Sequence, residues 1–150
     1  MKTRQIIFLL IAACILISCN GQSTKSKDTV VYAESDDPEL EKAKQDALLN
    51  LGSFIESYNA HSNNSVYEYY LKIDFIDNGE HEHMWVSVNK IENEQFEGLL
   101  SNEPQIIKNI KFGDLVKIKK DQIEDWIIMN TETDEMEGGY SVKILQNREQ

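Results

Sequence analysis

The 150 residues include 26 acidic and 15 basic side chains, and the net charge of −11 makes the chain a poor candidate for nucleic-acid binding, which relies on Lys and Arg against phosphate. Both cysteines, Cys14 and Cys19, lie near the N-terminus, so the rest of the chain has neither a disulfide framework nor a cysteine-based metal site. The remaining length suits one domain with its own hydrophobic core.

The N-terminus has the organisation of an export signal. Lys2 and Arg4 form a basic region, and Ile6 to Ile17 is an uncharged apolar run. A membrane-spanning helix needs about 20 residues, so this shorter run matches the core of a signal peptide instead. The pattern therefore predicts export of the rest of the chain.

The apolar run ends in Leu16-Ile17-Ser18-Cys19, which resembles the lipobox of bacterial lipoproteins. The resemblance implies that residues 1–18 are removed as a signal peptide and that Cys19 is acylated and becomes the mature N-terminus. An ordinary secretory signal cut near Ser18 is the alternative. The lipidated form predicts a location in the cell envelope, with the protein attached to a membrane.

Removal of residues 1–18 takes away two basic side chains, which makes the net charge −13. A domain this acidic is expected to avoid anionic lipid, so the lipid at Cys19 is the predicted contact with the membrane. Residues 19–31 are predicted to be the lipidated cysteine and a flexible tether, because they are mainly polar. A single domain is predicted over residues 32–146.

A strong helix start follows the tether. Asp36 or Asp37 can cap the first turn, and Pro38 suits its first position. Apolar residues then recur at spacings of three and four, which predicts one long helix from Pro38 to about Tyr58. Its apolar stripe consists of Leu40, Ala43, Ala47, Leu51, Phe54 and Tyr58.

Val66 to Ile91 has the pattern of a long β-hairpin. Apolar and polar residues alternate on both sides of Asn78-Gly79, a dipeptide that favours a two-residue type I′ turn. With these two residues in the loop, Leu71 faces Val86, and the apolar faces of both strands coincide without adjustment. The agreement supports both the turn and the register.

Turn residues divide the rest of the chain into short elements. Further strands are predicted at Gln95–Leu100, Leu115–Ile118, Ile123–Met129 and Tyr140–Leu145, with one or two helical turns at Pro104–Ile110 and an acidic loop at Thr131–Glu137. This order predicts an α+β fold, in which one long N-terminal helix packs on a mainly antiparallel, strongly bent sheet or partial barrel of about six strands.

Six short motifs occur in a fixed order along the chain. They are Asp36-Asp37-Pro38-Glu39, His83-Met84-Trp85-Val86, Gly98 to Gln105, Phe112-Gly113-Asp114, Asp125-Trp126 and Gly138-Gly139-Tyr140. Together they resemble the YegJ-like family of bacterial proteins, also known as domain of unknown function 2314. The resemblance covers about Tyr32 to Leu145 and implies a small α+β domain that is often exported. It carries over no catalytic residue.

The polar face of the hairpin carries the strongest candidates for chemistry. His81 and His83 project from the same face of one strand, about 7 Å apart along the chain, and Asp74 lies opposite His83 in the predicted register. Two imidazoles and a carboxylate suit Zn²⁺ or a similar ion. The alternative is an exposed polar face on which Asp74 pairs with His83 and raises its pKa, so that the pair titrates near neutral pH.

The other candidate binding residues are Trp85, Asn102, Glu103, Asp125 and Trp126. Trp85 is either an exposed anchor for a partner, with Lys72 stacked on it, or a side chain covered by the long helix or by the segment after Pro104. Asn102 and Glu103 either cap a short helix or, in the case of Glu103, form an acid/base pair with Asp125.

The sequence contains no nucleophile elbow, P-loop, dinucleotide-binding fingerprint or zinc-protease motif. These features favour a lipid-anchored envelope domain that acts without catalysis and without a cofactor, and that binds a protein or a cell-surface component. The alternative is an envelope hydrolase that uses Asp74, His81 and His83 with a metal ion, or Glu103 and Asp125 as acid and base.

Overall fold

The computed structural model describes residues 37–148, so the predictions for the signal peptide, Cys19, the tether and the start of the domain lie outside it. The described residues form helices α1 (Pro38–Leu49), α2 (Leu51–His61) and α3 (Tyr140–Arg148), and strands β1 (Tyr67–Asp77), β2 (Glu80–Glu92), β3 (Gln95–Leu100), β4 (Leu115–Lys119), β5 (Ile123–Asn130) and β6 (Glu135–Gly138). None of the helices in this part of the chain is long and apolar enough to cross a membrane.

Strands β1 and β2 form the predicted hairpin. Asn78 and Gly79 both have positive φ, 50° and 85°, as a type I′ turn requires. Leu71 lies opposite Val86 and Lys72 lies opposite Trp85, so the predicted register is confirmed. A slip by one residue would move every apolar side chain of a strand to the other face, and this strongly favours the observed pairing.

The six strands belong to one antiparallel sheet, in the order β4-β3-β2-β1-β5-β6. One face of the sheet packs against α1 and α2 and contains the core. Leu71 and Val86 from the sheet and Leu51 and Phe54 from α2 are all fully buried. Each such side chain contributes about 1.5–3 kcal/mol when it leaves water, so this layer is the main source of stability.

The predicted single helix from Pro38 to Tyr58 is wrong, because the helix is interrupted at Asn50. Asn50 has φ −101° and ψ 7°, and its side-chain amide donates to the Asp46 carbonyl at 2.8 Å. The Ala47 carbonyl accepts the indole N–H of Trp126 at 2.9 Å and the backbone N–H of Asn50 at 3.2 Å. The ladder of hydrogen bonds therefore ends here, and α2 begins at Leu51.

Three segments after β3 also differ from the prediction. Residues 101–114 have no regular structure, so the helical turns expected at Pro104–Ile110 are absent. Glu135–Gly138, which overlaps the predicted acidic loop, pairs with β5 as edge strand β6. Tyr140–Leu145, the predicted last strand, belongs to α3. The architecture is therefore three short helices beside a dominant six-stranded sheet, and not one long helix on a partial barrel.

Candidate functional site

The face of the sheet opposite α1 and α2 is called the open face below. Because side chains alternate along a strand, the neighbours of core residues point to this side. They are half-buried or exposed, and α1 and α2 pack on the other face. The members are Tyr70, Lys72 and Asp74 from β1, His81, His83 and Trp85 from β2, Leu99 from β3, Leu115 from β4 and Ile127 from β5.

Polar side chains gather at the hairpin end of the sheet, and we call Lys44, Asp74, His81, His83 and Glu124 the histidine cluster. Nδ1 of His81 lies 2.6 Å from Oδ2 of Asp74, and Nδ1 of His83 lies 2.6 Å from Oε2 of Glu124. Nζ of Lys44, from α1, lies 3.3 Å from Oε1 of Glu124. The two imidazoles are 55% and 53% exposed, so solvent or a partner can reach them.

The predicted pairing of Asp74 with His83 is present, but only as a long contact between their charged groups. The two residues are opposite each other in the backbone register, but Nδ1 of His83 is 3.9 Å from Oδ1 of Asp74, beyond hydrogen-bond distance. Glu124 is the extra residue where the β1–β5 register shifts, and it binds this imidazole instead. Oδ1 of Asp74 is buried and has no hydrogen-bond partner among the described residues.

The contact between His83 and Glu124 shifts the pKa of both groups. The hydrogen bond that His83 donates to Glu124 raises the pKa of His83 above its usual 6.5, and the charges of Glu124 and Asp74 act in the same direction, although burial opposes them. Burial raises the pKa of Glu124, but the hydrogen bond and charge of His83, together with Lys44, outweigh burial and leave that pKa below 4.5. Between these two pKa values, His83 is a cation and Glu124 an anion.

We expect the substitution His83→Gln to destabilise the domain more at about pH 5.5 than at about pH 9. Folding raises the pKa of His83, so its contribution is fully present below the unfolded-state pKa of 6.5 and is lost as the pH rises through the folded-state pKa. Because the imidazole is half exposed, the difference should be small, about 0.5–1 kcal/mol in the free energy of unfolding.

Urea unfolding of both proteins at the two pH values measures this difference. His61→Gln is the matched control, because His61 is exposed at the end of α2. Equal losses at both pH values would contradict the ion pair.

The histidine cluster does not have the geometry of a metal site. Within residues 37–148, no group of three or more His, Cys, Asp or Glu side chains is placed to hold a metal ion. The structure therefore brings Asp74, His81 and His83 onto one face, as predicted, but not around one centre.

Beside the histidine cluster, Asp125 holds the start of α3. Its fully buried carboxylate accepts the backbone N–H groups of Tyr140 and Ser141 at 3.1 and 2.8 Å and the Ser141 hydroxyl at 2.7 Å. Nζ of Lys72 lies 3.4 Å from the same hydroxyl, and burial lowers the pKa of Lys72, although Glu124 and Asp125 oppose this shift. Asp125 is therefore a buried helix cap with a cation nearby.

The predicted acid/base pair of Glu103 and Asp125 is wrong, because the two residues do not meet. Asp125 on β5 is opposite Lys72 on β1, and Lys72 is opposite Trp85 on β2. Glu103 is an exposed residue of the segment beyond β2. Strands β1 and β2 therefore separate the two carboxylates. The carboxylate of Asp125 is also fully buried, so a substrate cannot reach it.

The two tryptophans have different roles. Trp85 is half-buried on the open face, and Asn102 supports it by accepting its backbone N–H through Oδ1 at 2.6 Å. The long helix was one of the two elements expected to cover Trp85, but α1 and α2 pack on the opposite face. Among the described residues the cation over an aromatic ring is Lys143, not Lys72. Trp126 is 1% exposed in the core, so it is not available for binding.

Two contacts beside the candidate site could not be predicted from any sequence pattern. Glu82 accepts the backbone N–H groups of residues 105–107 at 2.6–3.0 Å and holds the 101–114 segment against β2. Backbone donors occur at nearly every residue, so no spacing indicates such a contact. Glu124 reaches the histidine cluster only because the register shifts beside it, which alternation alone does not predict.

The chain is similar to known bacterial proteins. A family model described as "Uncharacterized protein conserved in bacteria (DUF2314)" matches residues 37–149. The protein named "Uncharacterized protein YegJ" from Escherichia coli (strain K12) is 32% identical over 137 residues, which cover 91% of this chain and 86% of that protein. No solved structure matches the chain. The chain therefore belongs to the DUF2314 family of proteins conserved in bacteria, as its six motifs predict.

Proposed function

We propose that this protein is a lipid-anchored component of the bacterial cell envelope, and that its domain binds a protein or a cell-surface component without catalysis. The lipobox-like sequence that ends at Cys19 supports the anchor. The alignment with YegJ is longer than residues 37–149, so the similarity extends into the N-terminal segment that carries this sequence.

The open face is the observation that supports a binding role. It presents Trp85, Tyr70 and Leu99 beside the histidine cluster, and α1 and α2 pack on the other side of the sheet. Aromatic side chains next to charged groups are typical of binding surfaces. Asp125, the buried acid of this region, is fully used in holding α3, which favours binding over acid/base catalysis.

The anchor is tested by growing cells with a labelled palmitate analogue. We expect label on the wild-type chain and none on Cys19→Ala, because the thiol is the site of acylation. Cys14→Ala is the matched control and should keep the label, since Cys14 lies within the proposed signal peptide. Label on Cys19→Ala, or its absence from the wild type, would reject the lipid anchor.

The binding surface is tested by photo-crosslinking in intact cells. A photoreactive residue at position 85 should give a discrete adduct, and Tyr70→Glu on the same face should weaken it. A photoreactive residue at position 56 is the control, because Glu56 is exposed on α2, which packs on the opposite face of the sheet. Adducts of equal yield from both positions would contradict a specific open face.

A hydrolase that uses the histidine cluster with a metal ion is the second candidate, and one observation favours it. A carboxylate orients each imidazole through Nδ1, which is how carboxylates orient metal-binding histidines. Thermal melting with Zn²⁺ and with EDTA tests it, beside the double variant His81→Ala/His83→Ala. We expect no rise in Tm, because the described residues lack a set of three ligands. A rise that the double variant abolishes would favour the hydrolase.

A further inference from the structure

Exposed apolar side chains meet at the β4 edge of the sheet. Leu99 and Leu115 are opposite each other across β3 and β4 and are 44% and 59% exposed. Phe112 is 58% exposed in the turn where the N–H of Gly113 donates to the Leu100 carbonyl at 2.8 Å. Of the six exposed large apolar side chains in residues 37–148, these three therefore share one location. Such grouping marks an interaction surface.

The same edge carries a high density of lysines. Residues 105–120 contain five lysines and one acidic residue, Asp114, within a chain whose net charge is −11. The Asp114 carboxylate accepts the backbone N–H of Lys111 at 3.1 Å. Two of the lysines have acidic neighbours, Lys117 with Glu97 and Lys120 with Glu94, each at 3.7 Å. These contacts are long, and the two lysine side chains are 77% and 54% exposed, so the cations stay accessible.

We propose that this surface, which we call the lysine edge (Leu99, Lys111, Phe112, Leu115, Lys117 and Lys119), docks on an anionic phospholipid bilayer. Exposed apolar side chains enter the interface, and flanking lysines contact the headgroups. The acidity of the whole chain predicts repulsion from anionic lipid. The fold, however, groups several lysines at one edge of the sheet, and this edge is suited to contact with anionic lipid.

The lipid anchor would strengthen this contact, and to that extent the inference rests on the proposed function. The tether predicted at residues 19–31 would reach roughly 20 Å and would keep the domain close to the bilayer. Tethering raises the effective concentration, so docking that is weak in solution becomes significant at the membrane. The docked geometry would direct the lysine edge towards the lipid.

Sedimentation with vesicles tests the proposal on residues 20–150, which lack Cys19. This chain is suitable because residues 37–148 contain both layers of the core, from the helices and from the sheet. Vesicles of phosphatidylcholine alone are compared with vesicles that also contain phosphatidylglycerol. We expect binding that requires phosphatidylglycerol and falls with added salt. Absence of such binding at low salt overturns the proposal.

Variants matched in net charge locate the contact. Lys111→Glu/Lys117→Glu should lower the partition coefficient at least about 25-fold, at about five-fold for each lysine. Lys42→Glu/Lys143→Glu, with the same charge change on α1 and α3, should lower it less than about two-fold. Phe112→Ser/Leu115→Ser should lower it about ten-fold. Circular dichroism melting verifies that each variant is folded. Equal losses in both lysine pairs would show a net-charge effect and overturn the proposal.

Sedimentation equilibrium without lipid tests whether a second copy of the chain binds the lysine edge. Self-association that Leu115→Ser abolishes would assign the lysine edge to a second copy of the chain and overturn the lipid proposal. The vesicle result is independent of acylation, because this chain lacks Cys19. Failure of docking is therefore distinguishable from failure of the lipid anchor, which palmitate labelling of the full chain reports.

Discussion

Replacing Asp125 with Ala is expected to destabilise the domain by about 3–5 kcal/mol. The carboxylate is fully buried and accepts four hydrogen bonds, from the Trp126, Tyr140 and Ser141 N–H groups and from the Ser141 hydroxyl, at 2.7–3.1 Å. Alanine would leave these donors buried without an acceptor and would remove the negative charge beside Lys72. Urea unfolding measures the loss as a lower midpoint.

Two further substitutions are compared with this loss of stability. One removes a single donor to Asp125, and the other is a control. Ser141→Ala removes only the hydroxyl donor, and about 1 kcal/mol is expected. Asp121→Ala replaces an exposed acid before β5 and should change stability by less than about 0.5 kcal/mol. If Asp125→Ala loses no more than Ser141→Ala does, then Asp125 does not anchor α3.

Gly138→Ala is expected to destabilise the domain by about 2–5 kcal/mol. Gly138 has φ +77°, a conformation that costs a residue with a Cβ about 1–2 kcal/mol. A Cβ there would also lie 2.2 Å from the Trp126 carbonyl oxygen and 2.5 Å from its ring, and forced repacking costs about 1–3 kcal/mol more. Because Trp126 is in the core, near-ultraviolet circular dichroism should change together with the unfolding midpoint.

Gly113→Ala is the matched control for the steric part. Gly113 has φ +82°, and a Cβ there meets nothing within 4 Å, so only the conformational cost of about 1–2 kcal/mol is expected. The difference between the two variants therefore measures the contact with Trp126. Equal losses would mean that the close approach of Gly138 to Trp126 contributes nothing.

The hairpin was predictable because its determinants are local. Alternation assigned the faces, and Asn78-Gly79 fixed the turn, so the pairing of Leu71 with Val86 followed from the sequence. The interruption of the first helix was not predictable in this way. The apolar stripe continues through Asn50, and the helix is interrupted where the indole of Trp126 binds the Ala47 carbonyl from far along the chain.

The candidate site was also predictable in its local features and not in its long-range contacts. The sequence placed Asp74, His81, His83 and Trp85 on one face, because this needs only the period of a strand. It did not indicate that Glu124 would bind His83, since that contact depends on a register shift between β1 and β5. It also suggested a pair of Glu103 and Asp125, although the sheet holds these residues two strands apart.

The C-terminal segment gives the clearest contrast. Tyr140–Leu145 has an alternating pattern that suits a strand, yet it forms α3 because the buried Asp125 caps its first N–H groups. By itself, the sequence determined the family, the hairpin and the faces of its strands, because each depends on short-range patterns. Only the tertiary structure decided where the helices break, which carboxylate binds which histidine and where the lysines gather. These outcomes depend on side chains and backbone groups from distant parts of the chain, whose free energies of interaction exceed local preference.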